Sequence, residues 1–297
     1  MDRYRFIAAE KANWPVRRLC SALHVSRSGY YAWASDTPRA YDRENAELVV
    51  HIRAIHRRSR ETYGAPRITR ELREEGWTVS RKRVARLMRC AGIAGIPKKR
   101  FRGSTTDSEH DLRIAPNVLD RRFDVDLPNR VWVGDITYLP TDAGWAYLAV
   151  LIDLHSRKVV GWALDDHMRT SLVQAALNMA VRLREPLPGL IHHSDRGVQY
   201  ASRSYQAALN ELGATPSMSR KGDCWDNAVA ESFFGTLEQE LVKRAHWKDQ
   251  DAARAAIADY IHAFYNTERR HSTLGDVSPA AFEAAFSARH VASEKAA

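Results

Sequence analysis

The first third of the chain carries short segments in which apolar side chains recur every three or four residues, the period of a helix with one buried face. Two such segments, at 15–23 and 26–33, are separated by a two-residue turn, and Ser26 is a typical N-cap for the second. Further helical segments follow at 46–58, from Pro66 and from Ser80. Helix, tight turn and capped helix predict an all-α helix-turn-helix region, which we divide into residues 1–40 and 41–97.

The next segment, KKRFRGSTTDSEHDLR from Lys98, is polar and has no period, so residues 98–117 are predicted to form a flexible basic linker. β-branched and aromatic runs of strand length then appear at 131–139, 146–154, 158–164 and 190–193, with helices from Thr170 and over 202–212. Three consecutive strands followed by alternating helix and strand predict a mixed α/β sheet flanked by helices. Helices at 251–266 and from Ser278 complete a domain of residues 118–287, and residues 288–297 form a tail.

The chain of 297 residues has room for one large domain and one or two small ones, and 44% hydrophobic residues exclude wholesale disorder. There is no run of 18 apolar residues, and the segment MDRYRFIAAEK lacks the apolar region of a signal peptide. We therefore expect a soluble cytoplasmic protein that does not bind membranes. Cys20, Cys90 and Cys224 form no CxxC pair, which suits a reducing compartment and gives no zinc site.

Positive charge is concentrated in the helical first third. Residues 1–100 hold 23 Lys and Arg against 10 Asp and Glu, whereas residues 101–297 hold 22 against 26. Such a difference between domains is typical of a module that binds a polyanion, and nucleic acid is the first expectation. The helix from Ser80 can lie in a major groove with its basic outer face, or that face is only the solvated side of a three-helix bundle. Its basic residues are Arg81, Lys82, Arg83, Arg86 and Arg89.

Three acidic residues have strongly patterned surroundings: Asp135 in VWVGDITYLP, Asp195 in LIHHSDRGVQY and Glu231 in DNAVAESFFGTL. The first two belong to strand-like runs and the third to a helix. A carboxylate in a buried strand costs much free energy unless it is paired or metal-bound. If the three converge, they form an oxygen-only site for two divalent cations, Mg²⁺ or Mn²⁺, which suits attack on a phosphodiester.

Other polar residues near these motifs have a structural and a functional interpretation. Asp153 is the best fourth acid, but a turn-forming Asp at a hairpin is favoured. His192 and His193 are interpreted as structural because no third metal ligand accompanies them. In the loop SRKGDCWD, Arg220 and Lys221 are candidates for gripping DNA near the metals, with Asp226 as the N-cap of the next helix. The NTERRH turn at 266–271 either caps the fold or contacts DNA.

Four separated motifs carry a family resemblance: WVGDITYL, HHSDRGVQY, SRKGDCWDNAVAESFFGTL and YNTERRHSTLGDVSPAAF. They resemble the DDE transposases of bacterial insertion sequences, in particular the second-frame protein of the insertion-sequence-three family, whose relatives include retroviral integrase. The resemblance extends over residues 4–286. The string YGAPRI…VSRKRVARLM is likewise similar to the helix-turn-helix of that family.

The resemblance implies an RNase H-like catalytic domain and a metal-dependent polynucleotidyl transferase. Asp135 and Asp195 would bridge two metal ions and Glu231 would complete the site. The implied activity is cleavage at element ends and joining of the 3′ ends to DNA. The implied partners are double-stranded DNA (element ends and target), a homo-oligomer on that DNA, and the protein of an upstream overlapping frame. Localisation with nucleoid DNA would follow.

One position departs from the family pattern. Seven residues after the glutamate the family usually carries Lys or Arg, but this chain has Glu238. A carboxylate cannot hold phosphate, so that contact would have to come from Arg220, Lys221 or Lys243. Glu238 keeps open a first alternative, a catalytically inactive, transposase-derived regulator that binds DNA. A second alternative, independent of this position, is a structure-specific RNase H-like nuclease that cuts without joining.

Overall fold

The computed structural model describes residues 2–35, 40–97, 111–220 and 224–296. Most of the predicted linker, residues 98–110, lies outside the described residues, as does Lys221. The helices are α1 (Arg3–Glu10), α2 (Val16–Ala22), α3 (Arg27–Ala34), α4 (Ala40–Arg58), α5 (Ala65–Glu74), α6 (Arg81–Cys90), α7 (Thr170–Arg184), α8 (Val198–Ala201), α9 (Arg203–Glu211), α10 (Ala228–Glu240), α11 (Gln250–Asp259) and α12 (Pro279–Ala296). The strands are β1 (Val131–Thr141), β2 (Gly144–Asp153), β3 (Val159–Asp165), β4 (Ile191–Ser194) and β5 (Thr215–Met218).

Helices α1 to α3 form a small unit with its own core. Ser26 caps α3 as predicted, because its Oγ accepts the N–H of Gly29 at 3.0 Å. The turn before it is tight, with His24 in the left-handed region at φ 52°. Helix α1 was not predicted, since a single buried residue gives no apolar stripe. The core residues are Ile7, Leu19, Cys20 and Tyr30.

Helices α4 to α6 form the second unit, as predicted. Helix α4 begins at Ala40, six residues before the predicted start. Ser80 caps α6 by accepting the N–H of Arg83 at 3.2 Å. One face of each helix is buried against the other two, which leaves the opposite face of α6 to solvent. The buried residues are Leu48, Ile52 and Ile55 from α4, Ile68 and Leu72 from α5, and Val84, Leu87 and Met88 from α6.

A mixed sheet forms the centre of the larger domain, in the order β3-β2-β1-β4-β5. Strand β1 pairs antiparallel with β2 and parallel with β4, and β4 pairs parallel with β5. The predicted mixed α/β sheet is therefore confirmed. Strand β5 was not predicted, because four residues that include Pro216 carry too little strand pattern.

Helices cover both faces of the sheet. Helix α7 lies so close to β3 that a Cβ on Gly161 would come within 2.3 Å of the Ala176 carbonyl oxygen, so this position requires glycine. The other face is covered by α10 and by α11, which continues as a π-helical segment, Tyr260–Tyr265. Both faces are thus closed, and the ends of the strands remain as places for polar chemistry.

The second helical unit and the sheet domain share one buried apolar cluster. The same cluster contains Leu48 and Ile68 of the helical unit, Leu148 of the sheet and Phe264 of the carboxy-terminal segment. The hydroxyl of Tyr63 donates to the Glu268 carbonyl at 3.3 Å and accepts the N–H of Arg270 at 2.8 Å. The domain boundaries stay a prediction, but these two units are packed together and not connected by the linker alone.

Within the described residues, no helix combines the length and the apolar character needed to cross a bilayer.

Candidate active site

The three acidic residues singled out above come together where β4 ends beside the middle of β1. Val133 of β1 lies opposite His193 of β4 in a parallel pair, so Asp135 and Asp195, each two residues further on, lie at the same level. Ala230 of α10 packs in one cluster with Val131 and Val133 on the same face of β1 as Asp135. Glu231 follows in the first turn of α10. Sheet register and helix packing together therefore bring the carboxylates into one site.

Burial and mutual repulsion dominate the electrostatics of this site. The pKa of Asp135 lies well above its usual range, first because burial disfavours the charge and then because the carboxylates of Asp195 and Glu231 are near. Burial also raises the pKa of Glu231. Among the described residues, neither Asp135 nor Glu231 has an ion-pair partner within 4.0 Å. A site of this kind favours a bound cation.

Backbone N–H groups orient the two aspartates. The Asp135 Oδ1 accepts the N–H of Ile136 at 2.8 Å, and the Asp195 Oδ1 accepts the N–H of Gly197 at 2.9 Å. A Cβ on Gly197 would lie 2.9 Å from the Gln199 Oε1 and 3.0 Å from the Asp195 Oδ1, so a larger residue would disturb this loop. The loop after β4 therefore holds Asp195 in a fixed orientation.

The donor set fits hard divalent cations, because all three side chains offer oxygen. Among the described residues, Asp165, Asp166 and His167 are the group whose ligand atoms all lie within 4.8 Å of one another. Asp135, Asp195 and Glu231 are therefore spaced more widely as a set. Oxygen ligands of one Mg²⁺ lie about 2.0–2.1 Å from the ion, hence within about 4.2 Å of each other. As they stand, the three carboxylates are therefore not close enough together for all of them to bind one ion.

Asp153 is a structural residue, as predicted. Its buried carboxylate accepts the N–H groups of Asn129 at 2.7 Å and His155 at 2.9 Å, which fixes the turn after β2. Arg184 lies 3.4 Å from it, and Arg184 also pairs with Glu283 of α12 at 2.7 Å. The carboxylate thus ties the turn to α7 and α12 and does not belong to the site.

The two histidines of β4 are structural as well. His192 Nε2 and the Tyr205 hydroxyl are 2.9 Å apart. His193 contacts the hydroxyls of Ser217 at 2.9 Å and Ser219 at 3.2 Å. Burial lowers the pKa of His192 to about 3 and that of His193 to about 4, so both are neutral near pH 7. They add no charge beneath the carboxylates.

The prediction that Asp226 caps α10 is wrong, because Asn227 is the N-cap residue. Asp226 instead accepts hydrogen bonds from Arg121 at 2.9 Å and from the backbone and side chain of Arg220. These donors lower its pKa, the Arg220 side chain most of all. Arg220 is thus held by an internal carboxylate, although half of its side chain is exposed. Sequence inspection missed Arg121, which lies 105 positions away and has no local signal.

The basic face of α6 is largely as predicted. Arg81, Lys82, Arg86 and Arg89 are exposed. The prediction that Arg83 belongs to this outer face is corrected, because its side chain turns towards α4. Its Nη1 lies 2.9 Å from Glu44, and its Nε donates to Asn45 at 2.9 Å. That carboxylate neutralises the charge, and Arg83 does not belong to the free face.

The two arginines of NTERRH are buried and paired inside the fold, as the interpretation of this turn as a cap predicts, and their charges are not exposed for a DNA contact. Arg269 is 7% exposed and Arg270 is 8% exposed. Arg269 forms two hydrogen bonds with Glu240, at 2.7 and 2.8 Å, and Arg270 pairs with Glu71 and Glu74 of α5.

Glu238 pairs with a nearby cation. Its Oε1 lies 3.5 Å from the Nζ of Lys243, and both side chains are partly exposed. The unusual negative charge on α10 is therefore already accompanied by a positive one.

Comparison with known proteins gives consistent matches over most of the chain. A family model described as an integrase core domain matches residues 126–224, another of that description matches 212–279, and an HTH-like domain matches 42–101. The 31 kDa protein of insertion element IS600 from Shigella sonnei is 44% identical over 89% of this chain and 97% of its own length. Transposase InsF for insertion sequence IS3A from Escherichia coli (strain K12) is 40% identical over 95% and 98%. The magnesium-bound catalytic core of HTLV-2 integrase matches with 18% identity and a TM-score of 0.37, over 49% of this chain and 92% of that one.

We expect Asp135→Asn to stabilise the protein when divalent cations are absent, because it removes a buried charge that faces two other carboxylates. The free energy of unfolding of this variant should therefore be higher than that of the unaltered protein. Urea denaturation in the presence of EDTA measures it, with Asp126→Asn at an exposed position as the control. Unchanged or lower stability of Asp135→Asn would contradict the repulsion described above.

Proposed function

The chain belongs to the IS3 family of insertion-sequence transposases, and we propose that Asp135, Asp195 and Glu231 form the site at which it cuts and joins DNA strands. Its integrase core makes it a polynucleotidyl transferase with an RNase H-like fold, and its HTH-like domain precedes that core. The observation that carries the proposal is the convergence of the three carboxylates from β1, from the loop after β4 and from α10.

The carboxylates act together as an acceptor for divalent cations, Mg²⁺ or Mn²⁺. Ions of this kind activate water or a 3′-hydroxyl for in-line attack on phosphorus and stabilise the leaving oxygen. Asp135 and Asp195 keep their orientation through the N–H groups of Ile136 and Gly197, so the site is formed before a substrate arrives. We infer two ions, because a site of two divalent cations held by carboxylates suits in-line attack on a phosphodiester.

The decisive experiment incubates the purified protein with labelled element ends and Mg²⁺. A transposase gives cut and joined products, a nuclease gives cut products only, and an inactive regulator gives only a shifted band. We expect Asp135→Asn, Asp195→Asn and Glu231→Gln each to lower strand cleavage by about 10³-fold or more, because the residues act as one unit. DNA affinity should change little, since these groups hold metal and not DNA.

A second measurement separates loss of metal from loss of folding. Mg²⁺ should raise the melting temperature of the unaltered protein and should fail to raise that of the three variants. Asp126→Asn is the control and should keep both cleavage and the Mg²⁺ effect. A variant that cleaves at a near-normal rate would remove its residue from the site.

The exposed side of α6 is the proposed surface for double-stranded DNA at the element ends. Arg81, Lys82, Arg86 and Arg89 lie there in an α-helix, and the HTH-like match covers the whole unit. Such a helix fits a major groove, where its residues meet base edges and phosphates. We also propose that the chain binds target DNA and forms a homo-oligomer on the DNA. It would work with a partner protein from an upstream frame and act on nucleoid DNA.

We expect Lys82→Gln and Arg89→Gln to weaken DNA binding several-fold. For each phosphate that a variant no longer binds, the plot of log K, the association constant for DNA, against the logarithm of the salt concentration should become less steep by about 1. Titrations of a labelled end at several salt concentrations measure both effects. Arg83→Gln is the matched control, because Arg83 is paired with Glu44. That control should lower the melting temperature and leave the salt slope unaltered. Equal slopes for all three variants would exclude α6 as the binding surface.

For Glu238→Lys we expect DNA affinity and strand joining to stay within about twofold at 0.15 M salt, since exposed, screened charges contribute little. The pairing of Glu238 with Lys243 is the reason for this expectation. Glu211→Lys, on the exposed side of α9, is the control for added positive charge. A gain specific to position 238 that disappears as salt is added would show instead that Glu238 faces the DNA backbone.

A further inference from the structure

Two consecutive arginines reach from one segment into two different parts of the molecule. The guanidinium of Arg269 grips Glu240, the last residue of α10, through two hydrogen bonds, and the Tyr260 hydroxyl donates to the same carboxylate at 2.9 Å. The guanidinium of Arg270 points the other way, to Glu71 and Glu74 of α5. The segment at 266–271 is thus fixed to the catalytic helix on one side and to the HTH-like unit on the other.

The connection is reinforced from both sides. Arg67 of α5 approaches the same Glu240 carboxylate, with its Nη1 3.8 Å from Oε1. Arg270 also donates to the carbonyl of Asp276 at 2.6 Å and through Nη1 to Glu74 at 3.0 Å. These groups lie beside the apolar cluster that the two units share.

The two ends of this connection are the parts that the reaction must coordinate. Helix α10 carries Glu231, nine residues and about 13 Å along the helix from Glu240. Helix α5 packs directly on α6, the helix with the exposed basic face. The segment at 266–271 holds α10 and α5, and α5 in turn packs on α6. The position of α6 relative to the carboxylates is therefore fixed by side chains and not only by the linker.

We propose that Arg270, through Glu71 and Glu74, sets the distance between the DNA sequence held by the HTH-like unit and the phosphodiester that is cut. Arg270 is a positioning residue, which acts through α5 and does not touch DNA. A buried ion pair is weak evidence for stability, because its desolvation offsets the attraction, and in some proteins such pairs fix one arrangement of the chain. This inference rests on the proposed function of α6 and of the carboxylate site.

The test compares Arg270→Met and Arg270→Lys with the unaltered protein. Each protein cuts an end-labelled element, and sequencing of the products gives the distribution of cut positions. We expect Arg270→Met to spread the cuts over several neighbouring phosphodiesters while DNA affinity stays within about twofold. Arg270→Lys should be intermediate, since one ammonium cannot hold two carboxylates in forked geometry.

Arg254→Met is the matched control, because Arg254 is exposed on α11. It should leave the cut positions as they are in the unaltered protein. Circular dichroism and melting curves establish that each variant is folded. A variant that is merely less stable would lose yield at every position alike and would not shift the cuts.

A distance measurement keeps the test decisive. Spin labels on Cys90, which is exposed at the end of α6, and on Ser232→Cys of α10 report the distance between the two helices, with Cys20 and Cys224 replaced by Ser. We expect a single narrow distribution that broadens with Arg270→Met. Unchanged cut positions, or no broadening, would overturn the proposal. Absence of cleavage by the unaltered protein would instead refute the proposed function and leave the spin-label result to decide on Arg270.

Discussion

The parallel pairing of β1 with β4 is the contact on which the site depends. Asp135 and Asp195 are separated by 59 residues in the chain, and only the register that places Val133 beside His193 brings them to the same level. A shift of one residue in either strand would turn its side chains to the opposite face. The residues that secure the register are apolar or neutral, so the sheet itself contributes no charge that could replace a cation.

Bringing carboxylates together lowers the stability of the fold, and the neighbouring residues add no further unpaired charge to the site. The histidines of β4 stay neutral and hydrogen-bonded to Tyr205, Ser217 and Ser219. Buried acids elsewhere in the chain have positively charged or hydrogen-bonding partners. Asp153 accepts two N–H groups and lies near Arg184, and Glu240 forms an ion pair with Arg269. Charged groups that serve structure are thus paired, whereas Asp135 and Glu231 have no ion-pair partner within 4.0 Å among the described residues. This contrast is typical of a functional site.

The arginines divide in the same way between surface and interior. Those on the free face of α6 remain exposed, whereas Arg83, Arg269 and Arg270 are held by internal carboxylates. The positive charge of the first third is therefore not all available to DNA. Part of it is bound by acids of the same unit, and Glu71 and Glu74 of that unit hold an arginine of the catalytic domain. Net charge indicates the class of partner, but the number of free cations follows from the fold.

The sequence by itself determined the features that depend on local pattern. The period of apolar residues defined α2 to α6 and the first four strands, the caps Ser26 and Ser80 were identified, and Asp135, Asp195 and Glu231 stood out in their motifs. It missed α1, because a single buried residue gives no apolar stripe, and it missed α8 and β5, because four residues are too few to show a period. Only the tertiary structure decided which charges are free. A solvent-exposed arginine and a buried, paired one look alike in sequence, since the carboxylate that distinguishes them, as Glu71 does for Arg270, lies 199 positions away.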